Sequence, residues 1–252
     1  HFTPASTLLD GMGRAIAQVL RNGPAPATDW HITRSAFDVR GNLLTITDAL
    51  KREAFVHSHD LLNRPLKVDS IDAGLRTSVL DALGNLVEYR DSKGSVALRR
   101  YDELNRLVEL WATNNDEPTS PFTLRESLVY APQGAPEHAA GRLIEHRDEA
   151  GIVKISRYDF KGNVLETTRQ VPADNAMPNW LADWSSAQAA ATGAKLEHKA
   201  YATTSNYDAL NRVTAITYPE DVTGHRALLT PHYNRGGALQ AVKLRKSASA
   251  PE

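Results

Sequence analysis

The sequence predicts an all-β protein built of repeated antiparallel β-hairpins, and three observations carry that expectation. Ten of the 17 aspartates are followed three residues later by Gly or Asn, where chance would place about two, given 28 Gly and Asn among 252 residues. The segments after these tetrads are short and rich in β-branched and aliphatic residues, several alternating with the period of a half-buried strand. The tetrads also recur at regular steps: Asp81, Asp91 and Asp102 are 10 and 11 apart, and Asp38, Asp60 and Asp81 are 22 and 21 apart.

The tetrad is a turn. Its Asp can accept a hydrogen bond from the backbone two residues on, and its fourth residue swings to positive φ, which Gly adopts freely and Asn tolerates. A type I turn closed by a left-handed residue is a common hairpin connection. The ten turns open at Asp10, Asp38, Asp60, Asp81, Asp91, Asp102, Asp148, Asp159, Asp208 and Asp221. The shorter step fits one strand plus one turn. Consecutive turns therefore fall on opposite edges of a meander, and the doubled step marks an intervening turn of less regular sequence.

Taken in order, residues 1–30 hold the Asp10 turn, a strand over Ala15 to Leu20 and a Pro/Ala-rich loop from Asn22 to Thr28. The repeat is densest from Ser35 to Thr113, with strands such as Leu43-Leu44-Thr45-Ile46-Thr47 and Leu86-Val87-Glu88-Tyr89. Residues 114–141 form a loop-rich interruption, with Pro118, Pro121, Pro132 and Pro136 around one strand, Leu124 to Tyr130. Hairpins resume through Val164 to Thr168. Residues 171–204 are then expected to carry a helical insert near 178–192: Pro178 suits a helix start, the alanines favour helix, and Gly193 can end it. Trp180, Leu181, Trp184 and Ala187 would share a face and pack on the sheet. The pattern reads as a single module over 1–252, a fragment of something longer, whose opening at His1 and ending at Glu252 show no leader and no compact finish.

In several repeats an aromatic or imidazole residue precedes the aspartate, as in Phe37-Asp38, His59-Asp60, Tyr101-Asp102, Tyr158-Asp159 and Tyr207-Asp208, with Tyr233-Asn234 a variant. The fuller units Tyr101-Asp102-Glu103-Leu104-Asn105-Arg106-Leu107-Val108, Tyr158-Asp159-Phe160-Lys161-Gly162-Asn163-Val164-Leu165 and Tyr207-Asp208-Ala209-Leu210-Asn211-Arg212-Val213-Thr214 resemble the YD repeats of the RHS/YD-repeat family. Such units run from about Phe37 to Leu244, most of the chain. The order of motifs is most similar to the RHS region of the B component of Tc (ABC) toxin complexes, another mark of it being Leu80-Asp81-Ala82-Leu83-Gly84-Asn85.

That resemblance implies a hairpin sheet spiralling into a hollow shell, which encloses a cytotoxic polypeptide before delivery and is secreted or extracellular as part of a larger complex. It implies as partners the other parts of the shell or a C-type toxin component, and the enclosed polypeptide. The residues expected to matter are the turn formers Asp38, Gly41, Asp60, Asn63, Asp81, Gly84, Tyr101, Asp102, Asn105, Tyr158, Asp159, Gly162, Tyr207, Asp208 and Asn211. The competing expectation is an extracellular YD-repeat recognition module for a glycan or receptor, which needs an exposed aromatic cluster; Trp111, Trp180 and Trp184 are its candidates.

Composition narrows the classes further. Net charge is -1, with 29 basic and 30 acidic residues, so no global field draws nucleic acid. No apolar run is long enough for a membrane span. Aromatic residues are 7% and mean hydropathy is -0.41, polar for a sheet dry on both faces. With no cysteine there is no disulfide, thiolate metal site or Cys nucleophile.

No catalytic residue, cofactor or metal is expected. His57 and His59 sit two apart and would face one way on a strand, yet His59 fills the slot that Tyr occupies in sister repeats. Calcium loops gather several oxygen ligands within about a dozen residues, whereas these aspartates come singly. No Gly-x-Ser-x-Gly and no phosphate-binding glycine loop appears.

Overall fold

The computed structural model describes residues 3–113 and 121–247. Nearly all of the ordered secondary structure is antiparallel strand, in agreement with the all-β expectation. The chain divides into two compact units, His1–Arg99 with Ala112–Pro121 and Arg100–Trp111 with Phe122–Glu252.

The first unit contains β1 (Ser6–Leu9), β2 (Ala15–Arg21), a one-turn helix α1 (Pro26–Asp29), β3 (Trp30–Phe37), β4 (Leu43–Thr47), β5 (Glu53–His59), β6 (Pro65–Ser70), β7 (Gly74–Leu80) and β8 (Leu86–Arg90). The chain leaves it within β9 (Val96–Tyr101). Each strand pairs antiparallel with the next, from Thr7↔Gln18 between β1 and β2 to Tyr89↔Ala97 between β8 and β9. This unit is a single layer: its described residues include only Ser70 and Val96 as buried, at 7% exposure each, and β1 is exposed along its whole length.

The second unit holds the chain from the end of β9 and most of β10 (Leu107–Thr113), then β11 (Thr123–Tyr130), β12 (Leu143–Asp148), β13 (Gly151–Tyr158) and β14 (Val164–Gln170). After the insert it continues with β15 (Tyr201–Tyr207), β16 (Val213–Glu220), β17 (Arg226–Tyr233) and β18 (Leu239–Ser247). Pairing again follows chain order, for example Val153↔Arg169 and Leu229↔Leu244.

Register shifts fall just before the five-residue turns, at Leu8/Leu9, Ala36/Phe37, Ser58/His59, Val79/Leu80, Asn206/Tyr207 and His232/Tyr233. The cause is the extra left-handed residue that closes each type I turn, which sets two residues against one as a bulge.

The helical insert is shorter than the sequence suggests. A 3-10 helix spans Asp174–Asn179 and an α-helix, α2, covers only Ala189–Gly193, with residues 180–188 non-helical apart from a turn. Tertiary partners claim the backbone between them. Trp184 N–H donates to the Leu124 carbonyl at 2.8 Å, Asp183 accepts from the Leu124 N–H at 3.2 Å, and Ala182 N–H donates to Glu149 Oε2 at 3.2 Å. Strand-edge and carboxylate acceptors thus replace the i→i−4 ladder that the alanine-rich composition favours.

Only part of the expected face packs: Trp184 is buried and Trp180 lies against it, whereas Leu181 and Ala187 are exposed, because the non-helical backbone breaks the helical spacing that would have aligned all four. Ala182, Trp184 and Leu196 are buried with Leu124, and Trp111, Ile152 and Trp180 pack against them. A second cluster joins Ala131, Ala139 and Tyr158. Even so, no large side chain among the described residues is completely buried. Residues 114–120 of the expected interruption lie outside the described residues; the remainder is β11 followed by turns as far as Gly141.

Candidate functional site

The repeated turn is the unit from which the site is built, and Asp60 shows its wiring. Its Oδ1 accepts the N–H of Leu62 at 2.8 Å and of Arg64 at 2.9 Å, while its own N–H donates to the Arg64 carbonyl and the Asn63 N–H donates to the Asp60 carbonyl. One carboxylate thereby satisfies the donors of the third and fifth residues, and the fourth residue, Asn63, is held at φ 64°.

The same wiring recurs at Asp38, Asp81, Asp91, Asp102, Asp159, Asp208 and Asp221, and at Asp10. Their fourth residues all take positive φ, including Gly41 (92°), Gly84 (94°), Asn105 (63°), Gly162 (96°) and Asn211 (61°). Asp148 departs from the pattern. It pairs directly with Gly151 across a two-residue turn, and Gly151, at φ 109°, lies so near the Gln170 carbonyl that a Cβ there would collide with it, so this glycine also serves close strand approach.

Sequence reasoning missed one turn of this kind. Asp48-Ala49-Leu50-Lys51-Arg52 has identical wiring with Lys51 at φ 65°, and Lys in the fourth place hid it.

These hydrogen bonds favour the ionised carboxylate. The Arg64 backbone N–H, aided by its side chain, holds Asp60 below the ordinary 3.8, and the Asn42 side-chain amide does the same for Asp38. Asp221 is lowered most, chiefly by the Thr223 hydroxyl.

The fifth residue of the turn, absent from the sequence expectation, links one turn to the next on the same edge. In the first unit, Arg14 Nε pairs with Asp10 Oδ2 at 2.6 Å, its Nη1 donates to the Asp38 carbonyl at 3.0 Å, and its guanidinium sits over the Phe37 ring. Asn42 Nδ2 bonds Asp38 Oδ2 and also Asn63 Oδ1, both at 2.8 Å. Arg64 Nη1 reaches the Asp81 carbonyl at 3.3 Å.

The second unit repeats the device. Arg106 donates to the Gly141 carbonyl at 2.7 Å and lies over Tyr130; Arg142 lies over Tyr158; Asn163 bonds Asn211 at 3.0 Å; and Arg212 lies over Tyr233. The tyrosine hydroxyls close each latch, with Tyr130, Tyr158 and Tyr233 donating to the carbonyls of Leu107, Leu143 and Val213, the residues just after each arginine. Phe37 and Tyr158, each before an aspartate, and Tyr130 and Tyr233, before Ala131 and Asn234, are thus platforms for the arginine of the preceding turn. Tyr101 and Tyr207 occupy the corresponding ends of β9 and β15.

A pairing rule follows. An arginine in the fifth place meets a glycine in the fourth place of the next turn: a Cβ at Gly84 would lie 3.4 Å from Arg64 Nη1, one at Gly237 3.5 Å from Arg212 Nη1, and one at Gly162 would collide with Arg142. An asparagine in the fifth place meets an asparagine. The alternation is present in the sequence, where Gly41-Asn42, Gly84-Asn85 and Gly162-Asn163 contrast with Asn63-Arg64, Asn105-Arg106 and Asn211-Arg212.

The remaining candidates take structural places. His57 and His59 stack in a row with Phe55, ring centroids 6.2 and 6.3 Å apart. Among the described residues, no three His, Asp or Glu side chains are grouped to hold a metal ion, and no helix is long and apolar enough to cross a membrane. Trp184 is 4% exposed and donates to the Asp148 carbonyl, Trp180 donates to that of Glu149, and Trp111 donates to Glu109 Oε2. All three tryptophans are therefore engaged in packing around the insert.

A wall of latched hairpins is the class of structure that this geometry defines. Among solved structures, the chain matches the complex of TcdB2 and TccC3 with a TM-score of 0.80 at 23% identity, over 98% of this chain and 12% of that one. It matches the TcdB2-TccC3-Cdc42 structure at a TM-score of 0.79 and 23% identity, and the Tc holotoxin pore of Photorhabdus luminescens at 0.78 and 24%, each over 98% of this chain and 12% of that one. The chain shares its fold with part of these toxin chains and spans about an eighth of their length. No protein-family profile matches it, and no curated protein matches it in sequence.

Proposed function

We propose that the chain is a stretch of the shell wall of a secreted toxin complex of the Tc type, enclosing a cytotoxic polypeptide before delivery, and that it has no catalytic role of its own. The observation that carries this reading is the run of latched hairpins matching Tc toxin chains over nearly the full sequence. The near absence of a dry core in the first unit supports it, since a single-layer sheet whose residues stay half-buried suits a wall with contents on one side. Exposed apolar hairpin tips such as Val39 (95%), Leu61 (84%) and Leu83 (76%) supply contact surface for neighbouring parts of a shell or a C-type component.

The test is protease protection. The parent chain is co-expressed with its C-type component, and the enclosed polypeptide is followed by immunoblot during proteinase K digestion. Protection that is lost when the wall is opened by Arg64→Ala with Arg106→Ala supports the reading. A polypeptide digested equally fast in both assemblies refutes it.

A further inference from the structure

Over β5–β9 of the first unit, cations gather on one face of the sheet and acids on the other. Cross-strand partners share a face, and the register pairs His57 with Val68, Val68 with Arg76, and Ser78 with Tyr89. His59 stacks on His57, and Arg99 stands two residues beyond Ala97, the partner of Tyr89. His57, His59, Arg76, Tyr89 and Arg99 therefore lie on the same side. The three acids of these strands lie on the opposite side: Glu53 pairs with Thr47, Asp69 with Val56 and Glu88 with Val79. The cationic face is the more sheltered one at β6, where Leu66 and Val68 are half-buried while Lys67 and Asp69 are exposed. Its polar groups are also unspent. Among the described residues, no hydrogen bond or ion pair engages the Arg76 guanidinium or the Ser78 and Tyr89 hydroxyls. His57 Nε2, His59 Nδ1 and Arg99 Nη1 are buried without a hydrogen-bond partner, a cost that a nearby negative charge offsets. Asp60, which follows His59, is already ion-paired with Arg64 at 2.6 Å. Beside these groups, Pro65, Leu66, Val68, Arg76, Ser78 and Tyr89 line a groove of about 230 Å³.

We infer that this face is a binding site for an acidic peptide, an extended segment of the pattern acid-x-apolar-x-acid. Alternation in an extended chain turns those three side chains to one side. One carboxylate takes the Arg76 guanidinium and the Ser78 and Tyr89 hydroxyls, the apolar side chain fills the groove over Leu66 and Val68, and the second carboxylate lies towards His57 and His59. Two arginines and two imidazoles are few for a phosphate backbone, whose binding grows with each neutralised phosphate, and the apolar groove between them suits a side chain. Charge complementarity therefore selects a polypeptide carboxylate. The inference does not depend on what the wall encloses.

The test uses the full chain and a rhodamine-labelled peptide, Ser-Glu-Ser-Val-Ser-Glu-Ser, in about 50 mM salt, where surface charges are weakly screened. Anisotropy is expected to show saturable binding, weakened about tenfold when Gln replaces both Glu or Ser replaces Val in the peptide. Arg76→Gln in the protein should weaken it by a similar factor, whereas Lys67→Gln, on the opposite face, should leave it unchanged. Arg76 and Lys67 are both exposed, so both variants are expected to fold, which circular dichroism checks. No saturation up to about 1 mM, or equal loss from Lys67→Gln and Arg76→Gln, overturns the inference. So does tighter binding of a single-stranded DNA of equal charge, which would give the face to nucleic acid. Cargo protection is read in a separate assay, so either proposal can fail alone.

Discussion

Arg106 and Tyr130 hold each other from both sides: the guanidinium carbon lies 4.0 Å from the ring centroid, and the tyrosine hydroxyl donates at 3.2 Å to the carbonyl of Leu107, the residue after the arginine. The same arginine pairs with Asp102 at 2.6 Å and donates to Gly141. Arg106→Ala is expected to cost about 1–2 kcal/mol, the sum of a partly exposed ion pair and one cation–π contact. Arg106→Lys should recover less than half of that, because an ammonium lacks the planar fork. Urea unfolding of the two variants decides it, and equal stability of Arg106→Lys and the unmodified chain would remove the stacking argument.

Glycine in the fourth place has two roles that substitution can separate. At Gly162 a new Cβ meets both an unfavourable φ and the Arg142 side chain; at Gly224 it meets the φ alone. Gly162→Ala should therefore lower the thermal midpoint more than Gly224→Ala, which costs about 1 kcal/mol. Combining Gly162→Ala with Arg142→Ala should narrow the gap.

Lys51 holds φ 65° with an exposed side chain, a conformation that disfavours lysine. Lys51→Asn should stabilise the protein by about 0.5–1 kcal/mol, since Asn visits this region at lower cost. A denaturation midpoint unchanged or lowered would contradict that account of the turn.

The turn aspartates set the acid limit of the fold. Asp10, Asp38, Asp48, Asp60, Asp81, Asp102, Asp208 and Asp221 all have folded values below the ordinary 3.8. The unfolded chain therefore binds more protons than the folded one, so their contribution is complete above about pH 4 and is lost as pH falls below it. Unfolding free energy should be nearly flat from pH 5 to 7 with respect to these groups and should drop steeply below about pH 4. Asp60→Asn with Asp102→Asn should make that acid drop shallower.

The insert is fastened through Glu149, which accepts from the Ala182 N–H and pairs with Arg125 at 2.6 Å while its carbonyl holds Trp180. Trp184→Ala is expected to cost about 3–5 kcal/mol as a large-to-small change in the buried cluster. Limited trypsin digestion should then cut at Lys195 before it cuts the hairpins; unaltered digestion would show that the cluster does not hold the insert.

The sequence disclosed the hairpin turns because Asp, Gly and Asn carry their reasons locally: a capping carboxylate and a tolerated positive φ. Asp48 escaped because a lysine stands in its fourth place, held at positive φ by the same local hydrogen bonds although its own propensity is against it. The helix expected near 178–192 shrank for a different reason, since Leu124 and Glu149 lie far away in sequence and outbid the local ladder for the backbone of residues 182–184. Gly and Asn, both suited to positive φ, are not equivalent in the fourth place: Gly84 and Asn63 face different donors, Arg64 and Asn42. That distinction was written in the fifth residue, and only knowing which turns are neighbours gives it meaning.

Each arginine and asparagine that links turns along this edge reaches forward, from Arg14 to Asp38, Asn42 to Asn63, Arg64 to Asp81, Arg106 to Gly141 and Asn163 to Asn211. The hook always belongs to the hairpin synthesised first, and the eye to the one synthesised next. A polypeptide emerging from the ribosome therefore meets a finished template at every step, and short-range closure of this kind favours rapid, sequential folding.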